Sequence, residues 1–170
     1  KRPVRTPADM AGLKIRVQQS DLMVDLVTAL GASATPMAYG EVYNALKTNV
    51  IEGAENNWPS YYSTSHYEAA PYSTLDHHTR TPEVLLASKV LWDKLSESDR
   101  QIILEAARAS QDVQRKAWDE YEQKSIEAVK AAGNTIVEVT DFKPWQDAVA
   151  PLYEKYGAPY KDLIEKIKAA

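Results

Sequence analysis

Gly53-Ala54-Glu55-Asn56-Asn57-Trp58-Pro59 is the stretch on which the reading of this chain turns. It follows a helix-like run, Glu41 to Asn49, and reads as a short buried strand that stops abruptly. Gly53 and Ala54 are small for core positions, and Glu55, Asn56 and Asn57 put three polar side chains where the strand should end. Trp58 adds a broad flat surface, and Pro59 can open a helix because its missing N–H would have no partner there. In open α/β sheets, ligands bind at the carboxyl ends of strands. A polar cluster with an aromatic at such an end is therefore a candidate site. A plain polar turn between strand and helix is the other reading of the same residues.

Towards the N-terminus the pattern repeats. Thr6-Pro7-Ala8-Asp9 is a cap signature in which Thr6 accepts from the N–H of Asp9, and the turn ends at Gly12. Leu13-Lys14-Ile15-Arg16-Val17 alternates apolar and basic residues, as a strand does. Ser20 opens a helix with Leu22, Leu26, Val27 and Leu30 at helical spacing and Gly31 as its stop. Ala32 to Pro36 is extended, and Gly40 to Asn49 carries Val42, Ala45 and Leu46 on one face. Strand, helix, strand, helix, strand with short connections predicts an α/β fold with a parallel sheet and covered faces.

Towards the C-terminus, Pro59 to Ala70 starts as a helix and Pro71 to Thr79 is extended. His77-His78 suggests a metal, but neighbours on a strand point to opposite faces and cannot chelate one ion. Glu83 to Ser88 is nearly all apolar and predicts a buried strand, followed by a short helix from Val90 to Leu95. Ser96-Glu97-Ser98-Asp99 resembles a capping box, and no proline or glycine follows until Gly133. That predicts one helix of about 35 residues, about 50 Å long, which must kink or cross two lobes. Thr135 to Val139 is a strand, and a helix capped by Asp141 and bent at Pro151 stops at Gly157. Pro159 opens a final helix through Ala169 with Leu163, Ile164 and Ile167 inward.

Composition narrows the function. The 170 residues are 44% hydrophobic and 26% charged with net charge −4, ordinary for a soluble domain and without a basic stripe for nucleic acid. No apolar run is long enough to span a membrane. There is no cysteine, which removes disulfides and thiolate chemistry. Lys1-Arg2-Pro3-Val4-Arg5 has neither an initiator Met nor a leader's apolar region, so a mature or internal piece, signal peptide removed, is expected. No nucleophile elbow, P-loop, dinucleotide fingerprint or zinc-protease motif is present, so the enzyme reading has no positive support.

Binding chemistry has some. Arg16 lies mid-strand on the face opposite Ile15 and Val17, where a guanidinium is a rigid fork matching a carboxylate. A solvated Arg on an edge strand is the alternative. Gln19, just past the strand, is placed to hydrogen-bond a ligand, and Tyr39 to cover an apolar face, or simply to pack on a helix.

Gly12-Leu13-Lys14-Ile15-Arg16-Val17, Gly31-Ala32, Thr35 to Leu46 and Asn49 to Asn57 together resemble the DctP-like substrate-binding proteins of tripartite ATP-independent periplasmic (TRAP) transporters. The resemblance continues through Leu95-Ser96 and the long helix. It implies a periplasmic-binding-protein-like fold of two α/β lobes around a cleft, one long helix spanning both, and most of the N-terminal lobe missing. Residues 1–82 and 123–170 would form the second lobe, and 83–122 the first lobe's returning segment, with exposed sheet edges.

The resemblance also implies the site. Arg16 takes the position of the carboxylate-clamping arginine, Asn56 that of the cleft asparagine with Glu55 in support, and Tyr39 that of the aromatic. Gln19 stands where some sialic-acid binders have Asn, and His78 resembles a histidine near the cleft. The run from Gly53 to Pro59, Trp58 included, looks most like uronate binders. The implied function is periplasmic capture of a small organic acid, a hexuronate above all, and its delivery to TRAP membrane subunits. No cofactor, metal, nucleic acid or membrane insertion is expected. An α/β enzyme acting on an acid sugar, and a helical interaction module on residues 96–132, are the competing readings.

Overall fold

The computed structural model describes residues 1–169; Ala170, the end of the expected 123–170 segment, lies outside them. A 3-10 turn, Pro7–Met10, precedes strand β1 (Lys14–Val17), helix α1 (Asp21–Ala29) and β2 (Ser33–Pro36). A second such turn, Tyr39–Glu41, runs into α2 (Val42–Lys47), followed by β3 (Gly53–Ala54), α3 (Trp58–Ser63), α4 (His66–Ala69) and β4 (Tyr72–Leu75). Then come α5 (Lys89–Trp92), α6 (Glu97–Ala131), β5 (Thr135–Glu138), α7 (Lys143–Gly157), a 3-10 turn at Ala158–Tyr160 and α8 (Lys161–Lys168).

The expected α/β architecture is present. β1 is the central strand of a parallel sheet in the order β2-β1-β3, with Ile15 opposite Gly53 and Arg16 opposite Ala54. A side chain at position 53 would bring its Cβ to 2.8 Å from Ile15 Cδ1, so the terminal methyl of Ile15 would have to move aside to admit one. Alternation along β1 does the rest. Ile15 and Val17 enter a core with α1 residues Met23, Leu26 and Val27 and with Trp145 of α7. Ala54, the register partner of Arg16, packs instead against the cluster of Val42, Ala45, Leu46 and Ile51. Arg16 therefore faces the α2 side, while Lys14 is solvated.

β4 and β5 pair as a second parallel sheet and do not extend the first. The N-terminal residues touch both sheets: the Lys1 main-chain nitrogen donates to the Glu52 carbonyl at 3.3 Å, and Thr74 Oγ1 donates to the Val4 carbonyl at 2.8 Å. At the turn before β1, the cap works in the reverse sense to that expected. Asp9 Oδ2 accepts from the Arg5 and Thr6 N–H groups and the Thr6 hydroxyl, while the Asp9 N–H goes to the Thr6 carbonyl. These bonds lower the Asp9 pKa below its ordinary value, the Arg5 N–H contributing most.

α6 is the long helix read from the sequence, 35 residues in one element. Ser96 Oγ accepts from the Asp99 N–H at 3.2 Å, as the capping pattern requires. Only Ser125 and Val129, near its C-terminal end, are buried, and that end packs on α3. Asn134, past the stop at Gly133, donates to the Tyr67 carbonyl and the Tyr61 hydroxyl and ties the helix end to α3 and α4. Ile102 and Val113 are exposed.

Two sequence expectations are corrected. Glu83 to Ser88 is not a buried strand: it pairs with nothing among the described residues, and Leu86 is 82% exposed. An apolar run becomes a strand only where a neighbouring edge accepts its backbone bonds, and none lies beside it. On α8, Ile164 is half-buried against Gly157, but Leu163 and Ile167 point outward, Ile167 at 67% exposure.

Candidate functional site

Arg16 is 6% exposed, although guanidinium groups are almost never buried without a partner. Its Nε and Nη2 donate to the Met37 carbonyl at 3.1 and 2.9 Å. The short extended segment after β2 delivers that carbonyl. Among the described residues no carboxylate pairs with it. A guanidinium carries five N–H donors. Two serve Met37, and three, at the far end of the fork, remain. The Arg16 carbon Cζ also sits 5.7 Å from the centroid of the Tyr39 ring, a cation–π arrangement that keeps the fork in place. Tyr39 in turn meets His66 edge-on, at 5.9 Å. Burial, and then the charge of Arg16, lower the His66 pKa, which favours the neutral imidazole beside the fixed positive charge of Arg16.

A broad cavity of about 1190 Å³ takes in the carboxyl ends of β1, β3 and β4 and reaches back to Arg2, Leu13 and Trp145. Arg16, Tyr39, Glu55, Asn56, Trp58 and His78 all line it, and Arg115 and Trp118 of α6 border it. Six of the seven residues singled out from the sequence are thus brought together. Gln19 is exposed, and its neighbour Gln18 lines the cavity in its stead. Asn56 Oδ1 accepts from the Asn57 N–H at 2.9 Å, which leaves its amide NH2 free to donate. Trp58 packs edge-on against Tyr61 at 6.1 Å.

His78 lies past the end of β4, not on it, so strand alternation does not govern His77 and His78. His77, at φ 49°, packs on Phe142, while His78 turns to the cavity. Its Nδ1 is 2.7 Å from Asp76 Oδ1, and its Nε2 is 4.0 Å from Glu55 Oε2. Burial alone would lower the His78 pKa, but the hydrogen bond and charge of Asp76 together with the charge of Glu55 outweigh it, and the net shift is upward.

Residues 1–159 match the family model described as "Bacterial extracellular solute-binding protein, family 7" (DctP). The chain belongs to this family. It is 47% identical over 161 residues to a solute-binding protein of Chromohalobacter salexigens, covering 95% of this chain and 48% of that protein. A TRAP periplasmic solute-binding protein from Bradyrhizobium sp. BTAi1, solved with α/β-D-galacturonate, is 48% identical with a TM-score of 0.93, over 100% of this chain and 57% of that one. One from Pseudomonas putida F1, solved with D-glucuronate, is 41% identical with a TM-score of 0.94, over 99% and 55%. The chain spans about half the length of these relatives. The family is one of binding proteins, not enzymes, and its relatives are periplasmic.

In this DctP chain two site features escaped the sequence reading. His66 gave no signal, since only the fold carries α4 next to Arg16. Asp76 had one, a carboxylate two residues before a histidine. Asn57 has a structural task beside the site: its Oδ1 accepts from the Ser60 N–H at 2.9 Å and caps α3. Asn57→Ala should cost about 1 kcal/mol of folding stability, and Asn57→Asp almost none. Urea denaturation checks this, and equal midpoints for the wild type and the alanine variant would remove the cap from the account.

Proposed function

We propose that this chain is the second lobe, with a returning piece of the first, of a TRAP solute-binding protein that captures a hexuronate through Arg16 and hands it to the membrane subunits. The observation that carries the reading is the buried guanidinium at the cavity with no acidic partner. A buried charge is costly unless paired, and a guanidinium keeps its charge in proteins. A ligand carboxylate is the partner whose geometry matches the free end of the fork. Asn56 orients that carboxylate or a ring hydroxyl, Glu55 backs it, and Tyr39 and Trp58 offer flat faces to the carbon skeleton.

Burial is consistent with the proposed division: the cores are built from residues before 82 and after 123, while residues 83–122 are largely exposed. In that division a first lobe covers the apolar faces of 83–104 and closes the cavity, and closure on ligand signals occupancy to the transporter. That the Bradyrhizobium and Pseudomonas putida relatives hold galacturonate and glucuronate supports uronate as the ligand class. Titration calorimetry of the intact protein should show binding of D-glucuronate or D-galacturonate and little of succinate. Binding of succinate alone would overturn the uronate assignment.

A further inference from the structure

The side of α6 that looks into the cavity is fixed some distance from the cavity. Arg115, Trp118 and Glu122 line it, and the buried Ser125 and Val129 continue the same stripe of the helix, three or four residues apart. Ser125 is small, and its hydroxyl donates to the Tyr121 carbonyl of its own helix at 2.7 Å. The buried part of the stripe therefore needs no polar partner outside α6. It lets α6 lie against α3 without choosing one tilt for it.

That choice is made one turn further on. Gly133, at φ 85°, turns the chain, and Asn134 follows. The Asn134 amide donates to the Tyr61 hydroxyl at 3.0 Å and to the Tyr67 carbonyl at 2.9 Å. The Tyr61 hydroxyl donates onward to the Ala70 carbonyl, and the Thr135 N–H donates to the Pro71 carbonyl at 2.9 Å. Burial raises the Tyr61 pKa above its ordinary value, so the hydroxyl keeps its proton. Both amide hydrogens of Asn134 are thus spent on α3 and α4. The Tyr61 ring meets Trp58 edge-on at 6.1 Å and Tyr67 at 6.2 Å. Trp58 lines the cavity beyond β3, and Asn134 does not line it.

We infer that Tyr61 and Asn134 are positioning residues: their hydrogen-bonded node sets the tilt and rotation of α6, and so holds the Arg115 and Trp118 wall of the cavity opposite the Trp58 wall. The inference rests on the ligand-capture reading above and adds where one wall of the site gets its position. Leverage makes the node matter. Asp112 stands about 28 Å up the helix from Ala131 at 1.5 Å per residue, so a tilt of about 5° at the node moves it by about 2.5 Å. A shift of that size is comparable to a hydrogen-bond length, and it takes the α6 side chains out of reach of a ligand seated at Arg16.

The test uses the intact protein with Tyr61→Phe and Asn134→Ala. Tyr61→Phe removes one hydroxyl and keeps the ring, so it spares the packing against Trp58 and Tyr67. These 170 residues hold no cysteine, and Asn44→Cys with Asp112→Cys places spin labels on exposed positions of α2 and α6. Electron-spin distance measurement without ligand should give one narrow distribution in the otherwise unaltered protein. Both variants should shift or broaden it by about 2 Å or more. Calorimetry with D-galacturonate on the unlabelled variants should show affinity lowered between about two- and thirtyfold, the range for residues that act on a site through its support. A merely stabilising role would lower the melting temperature and leave both the distance and the affinity of the folded protein unchanged.

An unchanged distance distribution in Tyr61→Phe and Asn134→Ala, or a changed one with galacturonate affinity intact, overturns the node and leaves the capture reading standing. Failure of the unaltered protein to bind any uronate overturns the capture reading, and with it the purpose assigned to the node, whatever the distances show.

Discussion

Arg16→Lys in the intact protein should weaken uronate binding at least tenfold, and Arg16→Met should leave no binding measurable by calorimetry at millimolar ligand. The argument is geometric. Two of the five guanidinium N–H groups are spent on the Met37 carbonyl, and these bonds, with the Tyr39 ring, fix the plane of the fork. The remaining three offer two parallel donors to a carboxylate without further ordering. Lysine brings one compact charge on a flexible stem, and that charge cannot serve Met37 and clasp both oxygens of an acid at once. Charge-assisted bonds contribute about 1.5–3 kcal/mol each, so losing one accounts for roughly tenfold or more. Methionine removes the charge and fills a similar volume.

The same variant separates function from stability. An unpaired buried charge destabilises the empty site, and apolar replacements of buried ions are often neutral or stabilising. Thermal denaturation of Arg16→Met without ligand should therefore show a midpoint equal to or above that of the wild type. Unchanged uronate affinity in Arg16→Lys would refute the clamp. A large loss of stability in Arg16→Met would show instead that the guanidinium is a structural group.

Much of this arrangement was legible in the chain because it rests on local rules. β1, β2, β3 and the helices between them follow from alternation, helical spacing and the stops at Gly31 and Gly133, both with positive φ. The single reach of α6 followed from the absence of any breaker between Ser96 and Gly133. The burial of Arg16 was left open, because strand alternation gives the face of a residue but not what covers that face. The cover is the Met37 carbonyl, Tyr39 and His66, brought in by the segment after β2, the 3-10 turn at Tyr39–Glu41 and α4. The position of His78 was misjudged by extending β4 four residues too far; the strand ends at Leu75, and the loop beyond it turns both histidines separately. Gln19 was placed one residue from the side chain that lines the cavity.

The apolar run at Glu83 to Ser88 is the largest departure, and it defines the second strong prediction. Ile51 and Leu85 are both branched aliphatic residues in stretches that read as strand. Ile51 is 0% exposed and packs with Val42, Ala45 and Leu46 directly before β3, whereas Leu85 is 79% exposed. Truncation to alanine should therefore act very differently at the two sites. Ile51→Ala removes buried methylenes and leaves a cavity between α2 and the sheet, at a cost of about 2–5 kcal/mol. It also loosens the support of β3, which leads directly into Glu55 and Asn56. Leu85→Ala in the 170-residue chain should change stability by no more than about 0.5 kcal/mol, since the leucine touches little. Chemical denaturation of the two variants beside the wild type gives both numbers. In a protein of the relatives' full length the proposed first lobe covers residues 83–104, and there Leu85→Ala should cost about 2 kcal/mol or more. A small effect in both settings would mean that no lobe covers this stretch, and the division of the chain into a second lobe and a returning segment would fall with it.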